Sequence, residues 1–226
     1  MKNIVGIASI PTRENGLLTV LENLSPQVDK IYVWLNGYKN IPKTPYNNIE
    51  FITSEKNIGA LAKLKILDHV KEKDFYYFTC DDDIIYPKNY IEYFRRNYIS
   101  NTIISAHGKY FNDFPIKSYK GGDVKRLYFG GEVKKLEKTH IPGTGVCLMD
   151  SNIARKIPYN SFTTHNMLDV WVGCWAHTHD IKQYVIPHPP GWIKPNPTVS
   201  QTNSIWSQVS RNDTQQIKII NHYFTQ

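Results

Sequence analysis

Asp81, Asp82 and Asp83 are three adjacent carboxylates that follow directly on Phe75-Tyr76-Tyr77-Phe78-Thr79-Cys80. The aromatic, β-favouring run predicts a buried strand that delivers negative charge to the mouth of a sheet. The strand is expected to end at these carboxylates, and Pro87 forbids it to continue. Like charges side by side oppose one another's ionisation, so such a triplet needs a bound cation, a basic neighbour or open water. A divalent ion meets that need with the fewest protein groups. Oxygen ligation by few protein donors suits Mg2+ or Mn2+, which keep coordination positions for the phosphate oxygens of a substrate. An acidic surface turn is the plain alternative.

The elements that must position these groups follow from hydrophobic patterning. Asn3–Ile10 is apolar on both faces, which predicts a central parallel strand. Pro11-Thr12-Arg13-Glu14 is a loop, and Leu17, Leu18, Leu21 and Leu24 then recur at helical spacing. Lys30–Leu35 is a second strand ending at Asn36-Gly37, and Ile49–Thr53 is a third. Lys56-Asn57-Ile58-Gly59 leads into a helix expected from Ala60 to His69. Strand, helix, strand in so short a span argues for parallel βαβ units. In a doubly wound sheet the loops at the carboxyl ends of the strands converge on one crevice. That topology gathers Pro11, Thr12, Arg13, Asn36, Asn57, Lys63 and the Asp triplet at one edge. Neither a Walker sequence nor GxGxxG is present, so a nucleotide there would be held by side chains and metal.

Beyond Pro87, Tyr90, Ile91, Tyr93 and Phe94 predict a helix, and Ile103–Gly108 a strand and its end at His107-Gly108. The basic, glycine-punctuated interval of about 111–138 is expected to be a mobile loop or β excursion over the site. Gly143-Thr144-Gly145 allows close approach of a ligand to the backbone, or makes an ordinary tight turn. Asn166–Trp175 predicts a helix with Asp169 in its first turn, where an acid also complements the helix dipole. His177 and His179 lack further ligands at zinc spacing. Tyr184–Pro187 is a last short strand, with Trp192 and Lys194 beyond it. The tail from Ser200 is expected either to close as a helix or to order with ligand.

With 226 residues the chain can form one domain with a sizeable core. The net charge of +7 favours anionic partners, phosphorylated ligands or an anionic membrane surface. Its cations are spread along the chain rather than gathered in one block, so no nucleic-acid partner is expected. Cys80, Cys147 and Cys174 form neither a disulfide framework nor a CxxC pattern, which points to the cytoplasm. No segment has the length of a signal peptide or membrane span, so any contact with the inner face of the cytoplasmic membrane would be peripheral.

A metal beside Lys, Arg and Asn loops suits a nucleoside diphosphate, whose leaving charge the ion would neutralise. The chemical alternatives are a sugar-nucleotide nucleotidyltransferase, a metal-dependent phosphohydrolase, or a non-catalytic carbohydrate-binding assembly subunit. Val28-Asp29-Lys30-Ile31, Leu35-Asn36, Asp82-Asp83-Ile84-Ile85-Tyr86-Pro87, His107-Gly108, Gly143-Thr144-Gly145 and Asp169-Val170 stand in an order that resembles A-type (DxD) glycosyltransferases, specifically the bacterial heparosan α-1,4-N-acetylglucosaminyltransferases. The resemblance implies an α/β, single-domain A-type fold with a Rossmann-like, mostly parallel central sheet. Residues 1–106 would form the nucleotide-sugar-binding half and 107–226 the acceptor-binding half.

It also implies metal ligation by Asp83, with Asp81 near ribose and metal and Asp82 near the donor sugar. Pro11, Thr12, Arg13, Asn36, Asn57, Lys63, Gly143, Thr144 and Gly145 would surround the donor. Asp169 would lie beneath the donor sugar and Lys194 against the diphosphate, with His107 and Trp192 on the acceptor side. The implied reaction moves N-acetylglucosamine from a UDP-sugar, with retention, to a capsule or lipopolysaccharide-type oligosaccharide or polysaccharide. A second transferase would be a natural partner.

Overall fold

The computed structural model describes residues 1–122, 124–164, 166–199 and 212–226. Its first half alternates strands and helices: β1 (Lys2–Ser9), α1 (Glu14–Leu24), β2 (Lys30–Asn36), β3 (Ile49–Ser54), α2 (Ala62–Lys65), β4 (Phe75–Asp81), β5 (Ile84–Ile85) and α3 (Tyr90–Arg96). Then follow β6 (Thr102–Ser105), β7 (Gly108–Phe111), β8 (Val124–Leu127), β9 (Glu137–Lys138), β10 (Ile141–Pro142) and β11 (Val146–Asp150). The chain continues through α4 (Ser151–Ala154), α5 (Leu168–Thr178), β12 (Lys182–Val185), β13 (Lys194–Pro195) and α6 (Thr214–Phe224).

Eight strands form one sheet in the order β3-β2-β1-β4-β11-β6-β12-β9. β1 is parallel to both of its neighbours, β2 and β4, which is why both of its faces are apolar. Residues of successive strands alternate between two cores. Val5, Ile7, Val33, Phe78 and Cys80 face α1 and α3, whereas Ile4, Trp34, Phe75 and Tyr77 face α2, α4 and α5. β11 runs antiparallel to β4, with Val146 opposite Cys80. Its amino end therefore lies at the edge where β4 ends, and this brings Gly143-Thr144-Gly145 beside the acidic triplet.

Two expectations are revised in detail, the helix over Ala60–His69 and the strand end at His107-Gly108. The helix expected over Ala60–His69 is only the four-residue α2 between two 3-10 turns, Gly59–Leu61 and Ile66–Asp68. The buried Tyr77 hydroxyl donates to the Lys63 carbonyl, which occupies an acceptor of a regular helix. β4 ends at Asp81, at the acidic triplet where the aromatic run is expected to stop. Ile84–Ile85 forms a separate strand antiparallel to Lys194–Pro195. β6 stops at Ser105, whose hydroxyl bonds the carbonyls of His107 (2.8 Å) and Gly143 (3.0 Å) and turns the chain out of the sheet. The excursion is built of β: β7 pairs with β8 and β10 in a second, three-stranded sheet.

Part of the tail, residues 200–211, lies outside the described residues. α6 packs on α5 and β7 through Ile220, Cys174, Val170 and Phe111. Among the described residues no helix is long and apolar enough to cross a membrane.

Candidate active site at the end of strand β4

The acidic triplet is met by two cations. Lys63 is 3% exposed and donates its ammonium to Asp81 Oδ1 and, at 3.1 Å, to the Thr144 carbonyl. Arg13 Nη1 donates to Asp82 Oδ1 at 2.9 Å and lies 3.1 Å from Asp83 Oδ2. Burial opposes the charge on both bases, yet Asp81 holds Lys63, and Asp82 with Asp83 holds Arg13, above their ordinary pKa values. Burial also pushes Asp82 up against the pull of Arg13. For Asp83, burial and then the Asp81 charge push the carboxyl up to about 6. Three carboxylates against two cations leave one negative charge uncompensated at this edge.

The turn is stapled from below by Tyr86, a residue named from the sequence only within the Asp82–Pro87 motif and given no role there. Tyr86, 1% exposed, accepts from the Asp81 amide at 2.7 Å and donates to the Gly145 carbonyl at 2.6 Å. Its hydroxyl thus joins the end of β4 to the start of β11. Tyr86→Phe strands two backbone groups and is expected to cost about 1–3 kcal/mol, measured by urea unfolding. Gly145 is needed for a different reason, because a Cβ there would stand 1.9 Å from Asp81 Oδ2. Gly145→Ala must displace that carboxylate. We expect this to cost about 1–3 kcal/mol, read by urea unfolding.

The same loop carries the link to α5. Asp169 Oδ1 accepts from the Thr144 amide at 3.1 Å and from the Thr144 hydroxyl. Among the described residues its Oδ2 has no hydrogen-bond partner. A continuous set of contacts therefore runs from Asp81 through Lys63 and Thr144 to Asp169. His107 packs against Gly143, whose Cβ position is 2.7 Å from His107 Cβ. Burial first, then Lys109, keeps the His107 imidazole neutral with its pKa lowered to about 4, although the Asp169 charge opposes this.

The remaining expected site residues divide by role. Asn36 is 3% exposed, and its Oδ1 accepts from the Ile58 amide at 3.0 Å, so it shapes the loop after β3. Asn57 Oδ1 accepts from the Gly59 amide at 2.8 Å within that loop. Pro11 and Thr12 are exposed on the 3-10 turn that follows β1. Lys194 is exposed, in register with Ile85, and the Asn196 amide donates to the Asp83 carbonyl at 2.8 Å. The β13 segment thus borders the acidic turn. Trp192 lies elsewhere: it packs on Tyr93 and Phe94 of α3 and donates to Asn89 at 3.1 Å.

Asp82 and Lys63 sit beneath the edge rather than on it, each buried in an ion pair. His177 stacks on Phe224 and His179 on Trp175, apart from this edge. Patterning did not single out Asn166, which has φ +61° and a buried Oδ1 without a hydrogen-bond partner. That atom lies 2.1 Å from where a Cβ on Gly59 would be, joining the loops before α2 and α5. A non-glycine residue in the left-handed region is the usable signal, and it shows only in the backbone.

Among the described residues no three His, Cys, Asp or Glu side chains are grouped to hold a metal unaided. Asp83 and Asp81 fit a hard cation that takes one or two carboxylates and leaves its other positions to water and phosphate. The residual negative charge at the turn is the feature such an ion would answer.

These elements define an α/β, A-type glycosyltransferase fold, with a Rossmann-like, mostly parallel sheet whose loops gather at one edge. Residues 1–349 of S. aureus TarS share it with a TM-score of 0.53 at 12% identity, over 84% of this chain and 59% of that one. The present chain thus spans less than two thirds of that structure. The inositol-1-phosphate CTP transferase from T. maritima matches with a TM-score of 0.52 at 10% identity, over 97% of this chain and 95% of that one. At such identities the likeness shows the fold. No family model and no curated protein sequence matches the chain.

Proposed function

We propose that this chain is a metal-dependent glycosyltransferase that moves a sugar, N-acetylglucosamine by the sequence resemblance, from a UDP donor to a glycan acceptor. One observation carries this reading. The contacts from Asp81 through Lys63 and Thr144 to Asp169 set two carboxylate sites on either side of a single loop. One site suits a diphosphate and the other a sugar being transferred.

Asp83 and Asp81 would hold Mn2+ or Mg2+, which when bound supplies Lewis-acid stabilisation of the departing diphosphate. The chain's own residues do the rest. Arg13 draws Asp82 and Asp83 together beneath the turn, and Lys63 holds Asp81 in place. Lys194, exposed at the border, adds a mobile positive charge for phosphate oxygens. Asp169 faces the sugar carbon as its bond to the diphosphate oxygen breaks, and stabilises the positive charge that develops there. In a retaining reaction the leaving phosphate takes the acceptor proton.

A second reading, nucleotidyl transfer, is favoured by the near-complete mutual coverage with the CTP transferase. The two separate in calorimetry. Binding of UDP that requires Mn2+, with UDP released from a panel of UDP-sugars, supports glycosyl transfer. Selective binding of a nucleoside triphosphate with a sugar phosphate, and release of pyrophosphate, would replace that reading with the second.

A further inference from the structure

Tyr128 is 46% exposed, yet its ring is held on two sides. It meets Phe129 at 4.5 Å and the edge of His107 at 6.0 Å between centroids. A Cβ on Gly130 would come within 2.7 Å of Tyr128 Cε1, so the phenol lies against a backbone that has no side chain to displace it. The Gly131 amide donates to the Tyr128 carbonyl at 2.9 Å, and the Gly191 amide donates to the Gly130 carbonyl at 3.0 Å. The turn that carries the ring is therefore tied down at both ends. A solvent-exposed aromatic held in this way offers a large amphipathic surface at little entropic cost.

Its position gives that surface a use. The His107 ring beneath it is partly exposed and has no hydrogen-bond partner on either nitrogen among the described residues; Nδ1 is buried without one. Burial keeps this imidazole uncharged. His107 in turn packs on Gly143, next to the Thr144 that Asp169 holds. Contacts thus lead from Tyr128 through His107, Gly143 and Thr144 to the carboxylate assigned to the transferred sugar.

We propose that Tyr128 is the platform for the acceptor sugar: a pyranose rests the C–H face of its ring on the phenol and turns a hydroxyl towards Asp169. A saccharide ring has an apolar face and a polar rim, and a tyrosine presents an apolar body with a polar tip. The assignment rests on the glycosyl-transfer reading above.

Saturation-transfer NMR with a panel of methyl pyranosides, in the presence of Mn2+ and UDP, tests it on the full chain. At least one glycoside is expected to receive saturation, strongest at its ring C–H protons. Tyr128→Phe retains the signal and Tyr128→Ala loses it, while the UDP affinity of both variants stays within about twofold of the parent. In UDP-release assays Tyr128→Ala should raise the acceptor KM about tenfold or more with kcat little changed.

Binding of the glycoside that survives Tyr128→Ala, or no binding by any pyranoside to the parent, overturns the platform. Equal loss in the Phe and Ala variants together with weakened UDP binding also overturns it, by showing a structural role. Absence of Mn2+-dependent UDP binding in the parent would instead remove the glycosyl-transfer reading itself.

Discussion

Asp83→Asn is expected to yield a protein that is more stable at neutral pH and has lost Mn2+-dependent UDP binding, by about 100-fold or more. Both effects come from the same uncompensated charge. Burial and then Asp81 push the Asp83 carboxyl up to about 6, against the pull of Arg13. An unfolded aspartate titrates near ~3.9, so the native protein binds this proton more tightly than the unfolded chain does. Stability from this group is fully present below about pH 4 and is lost as pH rises through about 6.

At pH 7.5 the ionised carboxylate costs the apo-protein on the order of 3 kcal/mol, and asparagine removes that cost. Arg13 keeps its 2.9 Å bond to Asp82 in the variant, so the turn retains its anchor. Thermal unfolding of the two apo-proteins should therefore differ at pH 7.5 and converge near pH 4. Addition of Mn2+ and UDP should raise the midpoint of the parent alone. Retention of Mn2+-dependent UDP affinity by Asp83→Asn would remove Asp83 from the metal site. An apo-variant less stable than the parent at pH 7.5 would show that its ion pair with Arg13 outweighs the burial cost.

The parts of this arrangement that patterning made visible are those governed by period and by chain connectivity. Asn3–Ile10 is apolar on both faces because β1 has a parallel neighbour on each side, and that constraint is written in every residue of the strand. Likewise Arg13, Asn36 and Asp81 end successive parallel strands or follow them, so topology alone brings them to one edge. What patterning could not show is where each side chain is turned. Lys63 carries the same charge whether it reaches into solvent or, as here, lies 3% exposed between Asp81 and the Thr144 carbonyl.

Tyr86 looks like any core tyrosine until its hydroxyl is found between the Asp81 amide and the Gly145 carbonyl. That bond needs an antiparallel β11 next to β4, a pairing between segments about sixty residues apart in the chain, as the separation in that hydrogen bond records. Local patterning carries no record of such a pairing. Trp192 has its ring contacts on a different element. It is half-buried, and α3 offers Tyr93 and Phe94 at ring-contact distance, contacts between segments about a hundred residues apart that local patterning does not record.

Asp169→Asn is expected to lower turnover by about 100-fold or more while UDP affinity with Mn2+ stays within about twofold. The substitution separates charge from shape. An asparagine carbonyl can still accept from the Thr144 amide and hydroxyl, the two bonds that Asp169 Oδ1 makes, so the Gly143–Gly145 loop should keep its course. With the loop intact, Asp81 keeps its place against Gly145, and Lys63 keeps both of its acceptors. The side proposed to take the diphosphate is then unaltered, and only the negative charge proposed to face the sugar is gone.

Loss of an interaction made chiefly in the transition state lowers kcat and kcat/KM together and leaves ground-state binding alone. Asp169→Ala supplies the contrast, because it also releases Thr144 and should weaken UDP binding through the displaced loop. If Asp169→Asn turns over UDP-sugar near the parent rate, the carboxylate is a structural clasp for Thr144 and the group facing the sugar must be sought elsewhere. If Asn and Ala variants lose UDP affinity equally, the charge acts on the nucleotide rather than on the sugar carbon.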